Sequence, residues 1–245
     1  DIVLTVLLLM QGGTRELGRL RASRTVLDAG GAGACIRAIA RHPIASDEDG
    51  TVFDQSKGAV NYQARLVPCA CRILSNLSAG DGGGPVQAAP YRRRILEAGG
   101  LTALLDAVRM NQRIPEVQRD AFRALGNLLY TEAETVGDAI AEVAGAVAQG
   151  MRACKKSAPV QQNGCGVLLN CVADIHEHLP GLLYAAGDVA AAAAGAIKHH
   201  PTDKDVVVPA CSVLQSMAQT GSRSDEKTAA AETIEMLEAC RLSKL

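Results

Sequence analysis

Apolar residues recur three and four positions apart in several stretches of the chain, the spacing that puts them on one face of an α-helix. Leu101, Leu104, Leu105 and Val108 form one such stripe, within Leu101–Arg109. Ala34–Arg41, Ala146–Ala153 and Ala192–His199 have the same character, and each ends in basic or polar residues. Basic side chains there suit the negative pole of a helix, and Pro43 and Pro201 stop the helix from continuing. The pattern predicts four amphipathic helices, each followed by a turn.

A second pattern follows each of these helices. Ala70-Cys71-Arg72-Ile73-Leu74-Ser75-Asn76, Ala121-Phe122-Arg123-Ala124-Leu125-Gly126-Asn127, Gly164-Cys165-Gly166-Val167-Leu168-Leu169-Asn170 and Ala210-Cys211-Ser212-Val213-Leu214-Gln215-Ser216 share one signature, small-Cys/Phe-x-x-Leu-x-Asn/Ser. Their last positions are 51, 43 and 46 residues apart, close to the period of about 40–47 residues found in stacked two- or three-helix repeats. The turn before each signature helix keeps register: Asn111 to Val117, Cys154 to Val160 and His200 to Val206 are each 6 residues apart. In the first copy the equivalent interval, His42 to Leu66, is 24 residues, which leaves an insertion over 44–61. That insertion is acidic at its start and lacks helical spacing; it reads as a solvated loop or as a partner-contacting loop anchored by Phe53.

Short first helices are expected at Tyr91–Ala98, Val136–Val143 and Leu182–Val189. Gly30-Gly31, Gly99-Gly100 and Gly145 are then placed to allow a sharp bend into the next helix. Ala79–Pro90, with Gly82-Gly83-Gly84-Pro85, reads as a flexible linker and has no phosphate-loop pattern. The expected division is a partial unit and connector at 1–24, then repeats at 25–80, 81–135 (with the linker), 136–179 and 180–224, and a capping helix or partial unit at 225–245. Ile2–Met10 is about half the ~20 residues a spanning helix needs. It reads as the buried last helix of a preceding unit.

Composition narrows the functional classes. The net charge of −1 gives no general attraction to nucleic acid or anionic membrane, and with no Trp, two Phe and four Tyr there is little to stack on bases. Of the eight Cys, three (Cys71, Cys165, Cys211) share one signature position, where a reduced thiol serves as a small apolar filler, favouring a reducing compartment. His176-Glu177-His178 and His199-His200 have no Cys or carboxylate at metal-ligand spacing, and inter-repeat polar contacts account for them better than zinc does. No nucleophile motif is present. No enzyme activity, cofactor, metal or small-molecule substrate is expected, with a metal-dependent enzyme the remote alternative.

Glu97-Ala98-Gly99-Gly100-Leu101 followed by Ala121–Leu129 resembles the armadillo repeat family, over roughly residues 25–220. The resemblance implies an all-α, right-handed α-solenoid of about four three-helix repeats with partial units at both ends. The family includes nuclear import adaptors, junctional and signalling scaffolds and ciliary proteins. It therefore implies an intracellular protein, cytoplasmic or cytoskeletal/ciliary, with protein partners.

In that family the third helices line a concave groove whose Asn residues grip an extended peptide backbone. Asn76, Asn127 and Asn170 stand at those positions here, with Ser216 the shorter substitute; bracing the neighbouring repeat is the competing role. Four residues before each Asn, where import adaptors carry Trp, this chain has Arg72, Arg123, Gly166 and Ser212. A nuclear transport type adaptor is thus the lesser alternative. Arg119, Arg123, Asn127 and Tyr130 fall on one helical stripe, near the basic Arg92-Arg93-Arg94. The stripe is either a solvated helix face or a surface for an acidic or phosphorylated segment.

Overall fold

The computed structural model of the chain describes residues 23–41, 62–80, 85–130, 136–137, 139–173 and 189–221, and every regular element among them is helical. After a helical turn at 23–28 come α1 (Gly31–Arg41), α2 (Tyr62–Ser78), α3 (Pro85–Glu97), α4 (Gly100–Met110) and α5 (Pro115–Leu129). A second set follows: α6 (Ala139–Ala153), α7 (Ala158–Ala173), α8 (Val189–His199) and α9 (Lys204–Gly221). Ile2–Met10, the insertion at 44–61 with Phe53, His176 and His178, the first seven residues of the helix expected at 182–189, and 225–245 lie outside the described residues.

The helices form two compact units that divide between Glu132 and Ala133. In the first, α1 packs on α2 and α4 on α5, α1 also packs on α4, and the signature helices α2 and α5 pack on each other. The second follows the same scheme: α6 on α7, α8 on α9, α6 on α8 and α7 on α9. Each unit therefore holds two consecutive copies whose amphipathic helices stack together and whose signature helices stack together.

The signature's apolar positions make this stacking. Ala70, Cys71 and Leu74 in α2, Ala121, Phe122 and Leu125 in α5, and Cys165 and Leu168 in α7 are all buried. In α9, Ala210 and Leu214 are buried but Cys211 is exposed, contrary to its expected role as a core filler.

The Ala-Gly-Gly bends have one geometry. Gly30 and Gly99 are left-handed (φ 79 and 87), and their N–H groups donate to Leu27 O and Leu96 O at 3.0 and 2.9 Å, closing the preceding helix. At Gly31 and Gly100 a Cβ would strike the side chain and, at 2.7 Å, the carbonyl oxygen of Val26 and Ile95, respectively. A side chain is excluded at that residue because the new helix starts directly against the end of the old one.

Two expectations fail. The stretch read as linker up to Pro90 is helical from Pro85 onward. Pro85 sits in the first turn, where its missing N–H costs nothing, and burial of Ala88 and Ile95 on either side holds the segment helical through Pro90. The predicted short helix at Val136–Val143 with a bend at Gly145 is also absent. Instead, α6 runs unbroken through Gly145, and the left-handed turn lies earlier, at Gly137 (φ 54).

Candidate functional site

Where α5 lies against α2, polar side chains of the two signature helices interlock around Ser75, which is buried near the C-terminal end of α2. The last carbonyls of a helix have no intrahelical donor and collect others. Ser75 O accepts from Ala79 N at 3.2 Å, from its neighbour Ser78 Oγ at 2.8 Å and, across the helix pair, from Asn127 Nδ2 at 2.9 Å. Asn127 Nδ2 also lies 3.4 Å from Ser75 Oγ. Arg123 spans the same gap, donating from Nε to Ser75 Oγ and from Nη2 to Asn76 Oδ1, both at 2.8 Å.

One turn earlier along the helices is a charged cluster. Asp120, only 2% exposed, accepts from Arg119 Nε and Nη2, both at 2.9 Å. This bidentate bond holds the guanidinium of Arg119 more firmly protonated than usual. Arg72 Nε lies 3.9 Å from the same carboxylate, and its Nη2 reaches back to Cys69 Sγ at 3.4 Å. Two arginines thus share one buried acid, while Arg123 has no carboxylate partner among the described residues.

The structure therefore brings Arg72, Asn76, Arg119, Arg123 and Asn127 together on one helix pair, and it gives them bracing contacts that spacing alone did not reveal. Tyr130, the C-cap of α5, is 46% exposed at the end of the same stripe. Asn170 occupies the matching position of α7 in the other unit and is half-buried. The triple Arg92-Arg93-Arg94 contributes little to this face: Arg92 is buried, and Arg94 binds Asp28 at 2.7 Å.

Ser75 and Asp120 were not singled out from the sequence. Ser75 stands beside Asn76 where the other copies have Gly126, Leu169 and Gln215, and Asp120 stands just before the small residue where they have Cys69, Asn163 and Pro209. An acid directly beside a small residue due for burial is the signal that marks Asp120. A third feature recurs in both units. Gln118 Nε2 bonds Val108 O and Asn111 O at 2.9 and 2.8 Å, and Gln161 Nε2 bonds Met151 O and Cys154 O at 2.9 and 3.2 Å. Each buried Gln clamps the end of the helix preceding its own.

His199 Nδ1 pairs with Gly195 O at 2.8 Å and His200 Nε2 with Lys155 O at 2.9 Å, so both imidazoles engage backbone carbonyls. Among the described residues no group of three or more His, Cys, Asp or Glu could hold a metal ion, and no helix is long and apolar enough to cross a membrane. Burial pushes the thiols of Cys35, Cys165 and Cys171 up to about 12. It raises Cys71 too, with the negative charge of Asp120 adding to the effect. These thiols remain neutral and unreactive at ordinary pH. No family model, no curated protein and no solved structure matches the chain.

Proposed function

We propose that this chain is a non-catalytic protein-interaction scaffold, a structural subunit or adaptor of a larger assembly. In this reading it is an armadillo-like, right-handed α-solenoid whose signature helices bind an extended, acidic partner segment. The observation that carries the reading is the stacking scheme repeated in both units, signature helix on signature helix. Such stacking brings together the helices that carry Asn76 and Asn127 at one signature position, both residues half-buried. Charge supports an acidic occupant: the face of α2 and α5 carries Arg72, Arg119 and Arg123 against buried Asp120 and the exposed Glu116, which acts on Arg119. A guanidinium fork suits carboxylate and phosphate oxygens.

The test is a selection of extended peptides of graded charge on the full-length chain, followed by affinity measurement at increasing salt. Acidic segments should be enriched, and their binding should weaken as ionic strength rises. Enrichment of basic segments, or of none, removes the reading.

A further inference from the structure

We propose that Arg123 and Asn76 form a donor-rich subsite for an oxyanion, the phosphate or carboxylate of a side chain in the bound segment. This inference rests on the scaffold reading above and deepens it. An Asn that grips a peptide main chain must offer one acceptor and one donor. At Asn76 half of the acceptor's capacity is already taken, because Oδ1, with two lone pairs, receives the Nη2 hydrogen of Arg123. The amide cannot be turned over to restore it, since a guanidinium only donates.

What the pair still offers is mostly donors, against the one remaining lone pair of Asn76 Oδ1. Asn76 keeps both Nδ2 hydrogens, and Arg123, bonded through Nε and one Nη2 hydrogen, keeps its two Nη1 hydrogens and the second on Nη2. Arg123 is exposed and Asn76 half-buried. A cluster of donors carrying a positive charge matches a group that only accepts far better than it matches a basic side chain. The charge is uncompensated as well, because Asp120 is occupied by Arg119 and flanked by Arg72.

The subsite is also pre-organised. Buried Ser75 holds Arg123 Nε at 2.8 Å and Asn76 holds its Nη2, so part of the ordering of a long, flexible side chain precedes any ligand. Asn127 is polarised the opposite way. Its Nδ2 is committed to Ser75, leaving Oδ1 as the acceptor for a main-chain N–H of the same segment.

The test uses the full-length chain labelled with nitrogen-15 and titrated with inorganic phosphate. The Asn76 side-chain amide and Arg123 Nε–H resonances should shift together. Arg123→Gln should weaken phosphate at least about 10-fold, and Asn76→Asp, which replaces donors by acceptors, should do the same. The two variants do not share a folding risk, since Arg123 is exposed and Asn76 keeps its shape. Matched extended peptides carrying one phosphoserine or one Glu then identify the source of the oxyanion, and preference for either supports the subsite. Phosphate binding without peptide binding retains the subsite and removes the extended-segment reading. Acidic peptides bound equally by the wild type and both variants retain that reading and overturn the subsite, as does a phosphate titration that moves neither resonance.

Discussion

Asp120 and Gln118 are both buried polar residues on α5, and each does work that a hydrophobic residue could not. Asp120 restrains two arginines, so neutralising it should have opposite effects on stability and binding. Asp120→Asn removes an ion pair whose cationic partners can rehydrate, since the side chains of Arg119 and Arg72 are 38% and 42% exposed. The expected loss of stability is therefore modest, about 1–2 kcal/mol by denaturant titration. The same change frees positive charge beside Arg123 and should tighten phosphate or acidic-peptide binding a few-fold at low salt. Gln118 satisfies two helix-end carbonyls at once. Gln118→Leu should cost about 1–3 kcal/mol, and Gln161→Leu a similar amount in the other unit; an unchanged denaturation midpoint in both would show that the clamps carry no weight. Neither residue's role was legible from spacing. The six-residue turn interval located Val117 and Val160, but a side chain reaching carbonyls 7 and 10 residues back leaves no periodic trace.

At the scale of the element, legibility followed how strictly the backbone constrains the residue. The Ala-Gly-Gly bends were readable because two demands coincide there, a left-handed residue and then one without a Cβ. They should separate under mutation. Gly99→Ala meets nothing within 4 Å and carries only the penalty of a positive φ, about 1–2 kcal/mol. Gly100→Ala places a methyl against a main-chain carbonyl that cannot yield and should lower the melting temperature further than Gly99→Ala does. Equal effects of the two would contradict the close approach of Ile95 to the start of α4. Gly145 was misread by the same logic. A lone glycine inside a helix costs only about 1 kcal/mol against Ala, which burial of Ala144, Ala146 and Val147 around it offsets. Pro90 was misread likewise, because a proline rule weighs the lost hydrogen bond and not the packing on either side of it. The signature helices α2, α5, α7 and α9 were legible as helices, since their small and Leu positions are buried in each, but the exposure of Cys211 in α9 was not. The candidate face was legible as a set of residues but not as a network, because Ser75 and Asp120 belong to no repeated pattern.

The buried thiols extend this to the whole molecule, for they sit in both units and report on each independently. Cys35 and Cys71 lie in the first unit, Cys165 and Cys171 in the second, and all four are buried. In the native state they ionise only well above their usual value of 9.0, with Cys35, Cys165 and Cys171 at about 12. Unfolding returns them to water, where they ionise near 9. From about pH 9 upward the unfolded chain therefore releases protons that the folded chain retains, and deprotonation favours unfolding. Stability from these thiols is fully present below pH 9 and is lost progressively as pH rises toward 12. Denaturant midpoints measured across this alkaline range should fall, and Cys165→Ala should flatten the fall relative to wild type, whatever it does to stability at neutral pH. Alkylation supplies the spatial check. Near pH 8 the exposed Cys211 should react with iodoacetamide in the native protein, while Cys35, Cys71, Cys165 and Cys171 react only after unfolding. Prompt native alkylation of Cys71 would mean that α2 and α5 do not stack as described, and the oxyanion subsite on that stack would fall with them; prompt alkylation of Cys165 would say the same of α7 and α9 alone.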